Sequence, residues 1–495
     1  MKFQGTKGVR ESMKLKTCCV ALALLLASVS AFAQQAVSNE ERIKQLDEKL
    51  DKLLKEKQAP PLELMNSAQQ ERVMEPVALS TFYDNGYLVW ASPDGAYKYW
   101  LDGRMQIDAA TYRGAANRLP SGAEVRRARI GTKATIARNF LAEVDVDFAN
   151  NAVEIKDLWA GYTGFENSII RVGNHKPPFG FDTLTSSKNI VFIERAYVDA
   201  WSPDRLLGVS YSRWGKMWQI SGGIFGQAAG VFDDKDTLTG GGAGTSQETS
   251  LFGRFSIAPL ATNERVLHLG LAAAHRKPDR GKLATSGADL ADRLDAARVV
   301  KLDSRPESHV SRAKFLSTGD MKFVDSFDQV GLELAGVLHS LTFQGEYQQT
   351  RINRSETTVA VVADHTFDGY YGQVSWFLTG DVRPYSVSEG EFGRVVPKHK
   401  GGAVELGLRF STLDLNDPTA KNPIQGGSAG NLTAGVTWFM NANHKIMLNV
   451  TRVNNDSFAK PGKDWAPIPP GTSTAQTPIL GDDFMVIAVR YAIAF

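Results

Sequence analysis

The sequence predicts an all-β fold, a 16-stranded antiparallel transmembrane β-barrel with a short N-terminal helical coiled-coil segment. Three observations predict it. From residue 97 onward, polar and apolar residues alternate over segments near the ~10 residues that a tilted strand needs to cross a bilayer. Short and long connections alternate between these segments. The chain also starts with an export signal and ends in Phe495.

Residues 1–33 are predicted to be a cleaved secretory signal peptide, in which residues 1–12 form an extra leader. Lys14 gives the signal a basic start, an apolar run covers residues 20–27, and residues 31–33 form an Ala-Phe-Ala cleavage site. This pattern is too short for a membrane span and is typical of secreted and outer-membrane proteins.

Cleavage would change the cysteine content and the net charge. Cys18 and Cys19, the two cysteines of the chain, lie in the signal. Disulfides, thiol catalysis and thiolate metal sites are therefore excluded from the mature chain. The whole chain has a net charge of +2, and the signal and leader together carry +4. The mature chain therefore has a net charge of about −2. Any preference for anions must come from the local placement of Arg and Lys side chains.

Residues 34–60 are predicted to be helical. Apolar residues step by three, four and three, as in a coiled-coil seam of two heptads, at Ile43, Leu46, Leu50 and Leu53. The seam predicts a coiled coil at the threefold axis of a trimer; the alternative is a solvated helix or tail. Residues 61–96 are interpreted as a linker that leads into the barrel.

Residues 97–495 are assigned to the barrel. Val144 and Val146 alternate with Glu143 and Asp145, as expected for a wall with lipid outside and water inside. The sixteen predicted strands cover 97–112, 123–137, 140–149, 153–163, 168–176, 206–213, 216–226, 248–257, 264–275, 328–337, 339–351, 367–379, 400–412, 430–440, 444–454 and 482–495. Long loops are predicted at 177–205, 276–327 and 455–481. The connection 380–399 is long where a short turn is expected.

The C-terminus indicates how the chain reaches its membrane. Tyr491, Ile493 and Phe495 alternate up to a terminal aromatic residue, which is similar to the signal read by the bacterial barrel-assembly machinery. The sequence therefore predicts the outer membrane of a Gram-negative bacterium, with outer-membrane lipid and that machinery as partners.

The residues that would indicate an enzyme are missing from the sequence pattern. The eight histidines contain no pair at metal-ligand spacing, and no G-x-S-x-G motif occurs. We therefore expect neither a catalytic site, a metal site nor a cofactor.

Several segments resemble the phosphate-selective porin O and P family. They occur in the family's order and are 101–106, 126–129, 171–196, 266–271, 305–309, 370–373, 377–385 and 431–438. The resemblance implies a 16-stranded homotrimeric barrel for passive diffusion of small inorganic anions, with phosphate or polyphosphate as candidate solutes. The alternatives are a weakly selective general porin and a non-conducting envelope barrel or adhesin.

The resemblance also implies where anions bind. The family folds the loop that corresponds to residues 177–205 into the lumen, and Ser186, Ser187 and Arg195 match its central anion site. Lys188 lies on the same loop. The alternative is an ordinary extracellular loop.

Two residues depart from the family's phosphate-site pattern. Phosphate-selective members have a lysine at the position of Thr183 and an acidic residue at the position of Lys156. Both exchanges weaken the expectation of strict phosphate selectivity.

A second set of anion contacts is expected on the wall. Arg104, Arg126 and Arg127 match the family's arginine ladder, and Arg129 lies on an alternate, lumen-compatible position. Arg126 and Arg127 cannot both face the lumen of a regular strand, so one is expected at the rim. The alternative is that the arginines pair with the acidic face formed by Glu143, Asp145 and Asp147. A basic exit is also predicted within 380–399, from Arg383, Arg394 and Lys398.

Overall fold

The chain divides into two units, Met1–Val77 and Ala78–Phe495, and the fold described below belongs to the second. The computed structural model describes residues 44, 48, 79–84, 86–229, 248–278, 298–355, 362–462 and 477–495. The predicted signal peptide and the coiled-coil seam lie outside the described residues. Lys44 and Glu48, the described residues of the predicted helical segment, are helical.

The regular secondary structure of the described residues is almost entirely β-strand. Its strands are β1 (Ser80–Asp84), β2 (Tyr87–Ala91), β3 (Lys98–Arg113), β4 (Gly122–Ile136), β5 (Phe140–Asp147), β6 (Glu154–Tyr162), β7 (Ser168–His175), β8 (Leu206–Trp214), β9 (Trp218–Phe225), β10 (Thr249–Ala261), β11 (Arg265–Lys277), β12 (Asp303–Ser304), β13 (Leu316–Ser317), β14 (Val324–Leu338), β15 (Leu341–Arg354), β16 (His365–Phe377), β17 (Tyr385–Ser386), β18 (Glu391–Phe392), β19 (Ala403–Asp417), β20 (Ile424–Phe439), β21 (His444–Asn455) and β22 (Phe484–Ala494). Short helices are α1 (Phe181–Leu184) and two 3₁₀ turns, Ala149–Asn151 and Tyr197–Trp201.

Within the described residues, no helix has both the length and the apolar character that a membrane crossing requires.

Sixteen of the described strands form a closed antiparallel barrel. Each barrel strand pairs with the next along the chain, and β22 pairs with β3 to close the wall. The sixteen strands correspond one to one with the predicted spans, so the predicted barrel is confirmed. The hairpin β1–β2 lies in the segment interpreted as a linker, and β2 pairs with the first residues of β3.

The barrel has a short-turn end and a long-loop end. Ala137 and Arg138, with φ of 49° and 71°, make a tight turn between β4 and β5. The start of β3 and Phe495 lie at this short-turn end, where backbone hydrogen bonds join Gly103 and Phe495. The connection between β16 and β19 is the long exception at this end, as the sequence indicated, and it contains the hairpin β17–β18.

The wall alternates between an apolar outer face and a polar inner face. On β14, Leu332 and Leu334 are 54% and 45% exposed, whereas Glu333 between them is 4% exposed. Leucine on the outer face matches lipid, and carboxylates and guanidinium groups on the inner face require hydrogen-bond partners in the lumen.

The loop between β7 and β8, residues 176–205, crosses the lumen and is called the inward loop below. Its helix α1 starts where the Glu346 carboxylate of β15 accepts hydrogen bonds from the backbone N–H groups of Phe181 (2.7 Å) and Asp182 (2.9 Å). Further along the loop, Gln329 of β14 donates to the Trp201 carbonyl at 3.0 Å. The loop is therefore attached to β14 and β15, across the lumen from β7 and β8, the two strands that it connects.

A second segment also folds inward from the long-loop end. Within residues 298–323, the Glu307 carboxylate lies 2.8 Å from the Arg409 guanidinium of β19. His309 in the same segment contacts the Glu124 carboxylate at 2.8 Å. This segment covers the lumen on the side of the long loops.

At the closing strand pair, Gly103 leaves room for the aromatic ring of Phe495. Gly103 exchanges backbone hydrogen bonds with Phe495, at 2.7 and 3.1 Å. A Cβ atom at Gly103 would collide with the Phe495 ring. We expect Gly103→Val to lower the yield of folded barrel about fivefold or more, because overpacking of this kind costs roughly 1–3 kcal/mol and acts on the closing strand pair.

The measurement is the heat-modifiable fraction of the protein in outer-membrane extracts. Gly253→Val is the matched control, because Gly253 also lies in a barrel strand and has nothing within 4 Å of its added Cβ. Equal yields of the two variants would contradict a closing role for Gly103.

Candidate functional site

The lumen contains a polar cavity of about 680 Å³. Inward residues of β3 to β7 line one side of it, and the inward loop lines the other. Tyr87 of β2 and two residues of the β17–β18 hairpin line it near the short-turn end. All the predicted site residues line this cavity, namely Arg104, Arg126, Arg127, Arg129, Ser186, Ser187, Lys188 and Arg195.

The cavity has a mixed electrostatic character. Eleven Lys and Arg side chains and nine Asp and Glu side chains line it. The excess of positive charge is therefore small, and the position of each cation relative to the acids decides what the cavity attracts.

Two β-bulges bring adjacent residues into the cavity. In the β3–β4 pair, Gln106 is opposite Arg127 and Ile107 is opposite Val125, so Arg126 is the extra residue of β4. A bulge re-aims the side chain of its extra residue. Both Arg126 and Arg127 consequently line the cavity, and the expectation that one lies at the rim was wrong.

The second β-bulge lies in the β5–β6 pair. Asp145 is opposite Asp157 and Val146 is opposite Ile155, which leaves Lys156 as the extra residue. Lys156 lines the cavity and lies 2.7 Å from the Glu154 carboxylate.

The acidic face of β5 neutralises part of the wall. Asp147 lies 2.8 Å from the Arg129 guanidinium, and Asp145 lies 3.3 Å from that of Arg104. Glu143 lies 3.1 Å from the Lys133 ammonium. Arg104 and Arg129 thus pair with the acidic face, as the alternative in the sequence analysis expected.

Arg127 differs from its neighbours. Its guanidinium donates to the Gln106 side-chain oxygen at 2.7 Å, and no carboxylate of the described residues pairs with it. The side chain is 6% exposed. Arg127 is thus a positive charge in the cavity that no acid neutralises through direct contact.

Arg126 belongs to a network that holds the inward loop. Glu194 of that loop accepts from Arg126 at 2.9 Å and from Arg490 of β22 at 2.8 Å. Burial alone would raise the pKa of the Glu194 carboxyl, but Arg126, Arg127 and Arg490 hold that pKa well below its ordinary value. Glu194 therefore stays ionised and joins the loop to two strands of the wall.

Arg195 clamps the inward loop to itself. Its Nε donates to the Asp182 carbonyl at 2.7 Å, and its Nη2 donates to the carbonyls of Thr183 (3.3 Å) and Thr185 (2.7 Å). Asp199 lies 3.5 Å from Nε. The guanidinium both shapes the loop and borders the cavity.

The other residues of the predicted loop site contact the wall. Ser187 Oγ accepts from Arg104 at 3.0 Å. The Lys188 ammonium lies 2.5 Å from the Asp102 carboxylate and donates to the Tyr87 hydroxyl at 2.8 Å. Ser186 lines the cavity beside them.

A lysine that the sequence analysis missed, Lys176, lies beside Thr183. The Lys176 ammonium donates to the carbonyl oxygens of Thr183 (2.5 Å) and Leu184 (3.0 Å). Burial, with Arg195 and Arg205 nearby, lowers the pKa of the Lys176 ammonium. In the sequence, Lys176 was marked only by its place within the family-like segment 171–196. Its proximity to Thr183 depends on the path of the loop, which the sequence does not reveal.

A smaller cavity of about 290 Å³ adjoins the first on the side of the long loops. Arg126 and Arg195 line both cavities, and Arg305 is added here. The Nε of Arg305 is buried and has no hydrogen-bond partner among the described residues.

The basic exit predicted within 380–399 is wrong. Arg383 is buried against Glu405 at 2.6 Å, and Arg394 donates to the Ala442 and Ala494 carbonyls. The residues of this segment that line the cavity are Glu389 and Glu391.

In the part of the chain that the structure describes, no three His, Cys, Asp or Glu side chains are grouped so as to hold a metal ion.

Comparison with known proteins gives consistent matches. The family model for phosphate-selective porin O and P matches residues 100–466. Porin O of Pseudomonas aeruginosa is 26% identical over 414 residues, which are 77% of this chain and 88% of that protein. An uncharacterized protein of Caulobacter vibrioides is 31% identical over 365 residues, 70% of this chain and 66% of that protein. An anion-selective porin from Comamonas acidovorans is similar with a TM-score of 0.48 and 13% identity, over 81% of this chain and all of that chain.

Proposed function

The chain belongs to the phosphate-selective porin O and P family of outer-membrane proteins, and we propose that it is a porin for passive diffusion of small anions. Phosphate and polyphosphate are the candidate solutes. The proposed activity is that of a channel and requires no catalytic step and no cofactor.

Arg127 is the observation that carries this proposal. An anion that enters a narrow lumen loses part of its hydration, and a guanidinium replaces that hydration with charge-assisted hydrogen bonds. Most cations of the wall have a carboxylate partner, but Arg127 bonds only to the neutral Gln106 amide. Arg127 can therefore bind an anion without first breaking an ion pair with a carboxylate.

Phosphate is supported by the donors around the constriction. Ser186, Ser187, Arg195 and Lys176 line one cavity and combine hydroxyl, guanidinium and ammonium donors. The planar guanidinium fork suits the oxygens of phosphate. Lys176 supplies an ammonium next to Thr183, where phosphate-selective relatives carry a lysine of their own.

A weakly selective general porin is the second candidate, and the nine carboxylates of the cavity favour it. Each of them lowers the local preference for anions. The proposed channel is a homotrimer, as the resemblance to the family implies, and the apolar seam at residues 43–53 is a candidate coiled coil at its threefold axis.

The test of the anion proposal is a reversal potential in a salt gradient across a planar bilayer, repeated with added phosphate. Wild type is expected to prefer chloride over potassium. Arg127→Gln is expected to lower the anion-to-cation permeability ratio about three- to tenfold, because one unpaired charge in the lumen is lost.

Arg138→Gln is the matched control, since Arg138 lies in an exposed turn paired with Asp94, outside the cavity. It should leave the ratio unchanged. A wild-type pore that prefers cations would refute the anion proposal, and a closed barrel without conductance would refute the channel.

A further inference from the structure

The β17–β18 hairpin enters the lumen from the short-turn end and reaches the far wall. The hairpin is part of the connection between β16 and β19, yet its tip, residues 388–390, contacts β9 and β10. Gln219 of β9 donates to the Ser388 carbonyl at 3.1 Å. Arg254 of β10 donates to the Gly390 carbonyl at 2.8 Å. The hairpin is thus attached at both ends.

Arg254 holds the tip rigidly. Its guanidinium lies 2.7 Å from the Glu333 carboxylate, and both side chains are completely buried. Gly390 has a φ of 62°, and a Cβ atom there would lie 2.7 Å from Arg254 Nη1. Close approach and a positive φ both require glycine at this position. The backbone next to Gly390 is therefore held against the wall.

The side chain presented next to this clamp is Glu389. Its carboxylate is 51% exposed and lines the main cavity. It lies 3.6 Å from the Arg171 guanidinium of β7, which in turn lies 5.2 Å from the centre of the Trp159 ring. Tip and wall therefore face each other across the lower part of the cavity.

The hairpin contributes only negative charge to the cavity. Glu389 and Glu391 line it, whereas Arg383 and Arg394 of the same segment are bonded to Glu405 and to backbone carbonyls. A solute that leaves towards the short turns, which are periplasmic in outer-membrane barrels, passes these carboxylates.

We propose that Glu389 is a specificity-determining residue of the pore, a carboxylate held at the periplasmic exit that competes with the passing anion for Arg171. This proposal rests on the proposed conduction through the same cavity. An anion that binds Arg171 competes with the Glu389 carboxylate 3.6 Å away, and this competition shortens the residence time of the anion at the exit. Repulsion by the same carboxylate limits the anion preference of the whole pore.

The experiment measures reversal potentials and phosphate block of chloride current for wild type, Glu389→Gln and Arg171→Gln. Glu389→Gln is expected to raise the anion-to-cation permeability ratio about two- to fivefold, because a charge next to the path is removed in a partly screened medium. It is also expected to lower the phosphate concentration for half-block, because Arg171 becomes free to bind. Arg171→Gln is expected to lower the ratio.

Glu264→Gln is the matched control. Glu264 is an exposed glutamate at a short turn, in contact with His339 and outside both cavities, and its loss should change neither quantity. Each shift is read relative to wild type, so it is measurable whether or not the wild-type pore prefers anions. Folded Glu389→Gln channels with the wild-type ratio and the wild-type phosphate block would overturn the proposal.

Discussion

Replacing Arg195 by alanine is expected to lower the anion-to-cation permeability ratio about tenfold and to raise single-channel conductance about twofold. Two effects add. The cavity loses a cation at the constriction, and the inward loop loses the donor to the Asp182 and Thr185 carbonyls, whereas Lys176 still donates to the Thr183 carbonyl. Each unsatisfied carbonyl costs about 1–3 kcal/mol, so we expect the loop to rearrange and the constriction to widen.

Arg195→Lys separates the two effects. Lysine retains the charge but cannot reach three carbonyls with a planar fork. We expect this variant to retain most of the permeability ratio and to show the altered conductance of a loosened loop. If Arg195→Ala leaves both quantities at their wild-type values in bilayer recordings, the inward loop does not form the filter, and the wall arginines alone set the selectivity.

The sequence predicted the barrel well because its signals are local. Alternation along each strand, as at Glu143, Val144 and Asp145, needs no knowledge of the partner strand. The alternating connection lengths then fixed the number of strands and the end at which Phe495 lies. The N-terminal coiled coil stays a prediction.

The placement of Arg126 and Lys156 could not be predicted from the sequence. Both are extra residues of a bulge, and a bulge is a property of two paired strands. One residue of slip in the register decides whether a side chain faces lipid or water. The regular alternation therefore gave the wrong answer for two adjacent arginines.

The acidic residues of the inner face were also ambiguous in the sequence. The sequence analysis did not single out Glu333 and Glu346, which lie on the inward side of their strands. In the structure, Glu333 holds Arg254 and thereby the hairpin tip, whereas Glu346 holds the start of α1. Their role depends on which segment folds inward above them, and no local pattern contains that information.

Replacing Thr183 by lysine is expected to lower the phosphate concentration for half-block of chloride current about three- to tenfold. The Thr183 hydroxyl donates to the Asp199 carboxylate at 2.6 Å, and a lysine ammonium there reaches the same acid. Burial raises the pKa of the Asp199 carboxyl; Arg195 opposes this shift and Asp182 adds to it. A lysine that pairs with Asp199 leaves Arg195 with one acceptor fewer and adds a donor for phosphate.

Asp199→Asn is the matched comparison, because it changes the charge of the site by the same +1 without adding an ammonium. If the electric field alone governs phosphate, both variants lower the half-block concentration equally. If a direct contact governs it, as we expect from the donors around Ser186 and Arg195, Thr183→Lys has the larger effect. Bilayer titrations with phosphate distinguish the two, with sulfate as a second anion of similar shape. A Thr183→Lys pore that phosphate blocks no better than wild type would mean that the anion does not pause at this part of the inward loop, and that the unpaired Arg127 is the tighter contact.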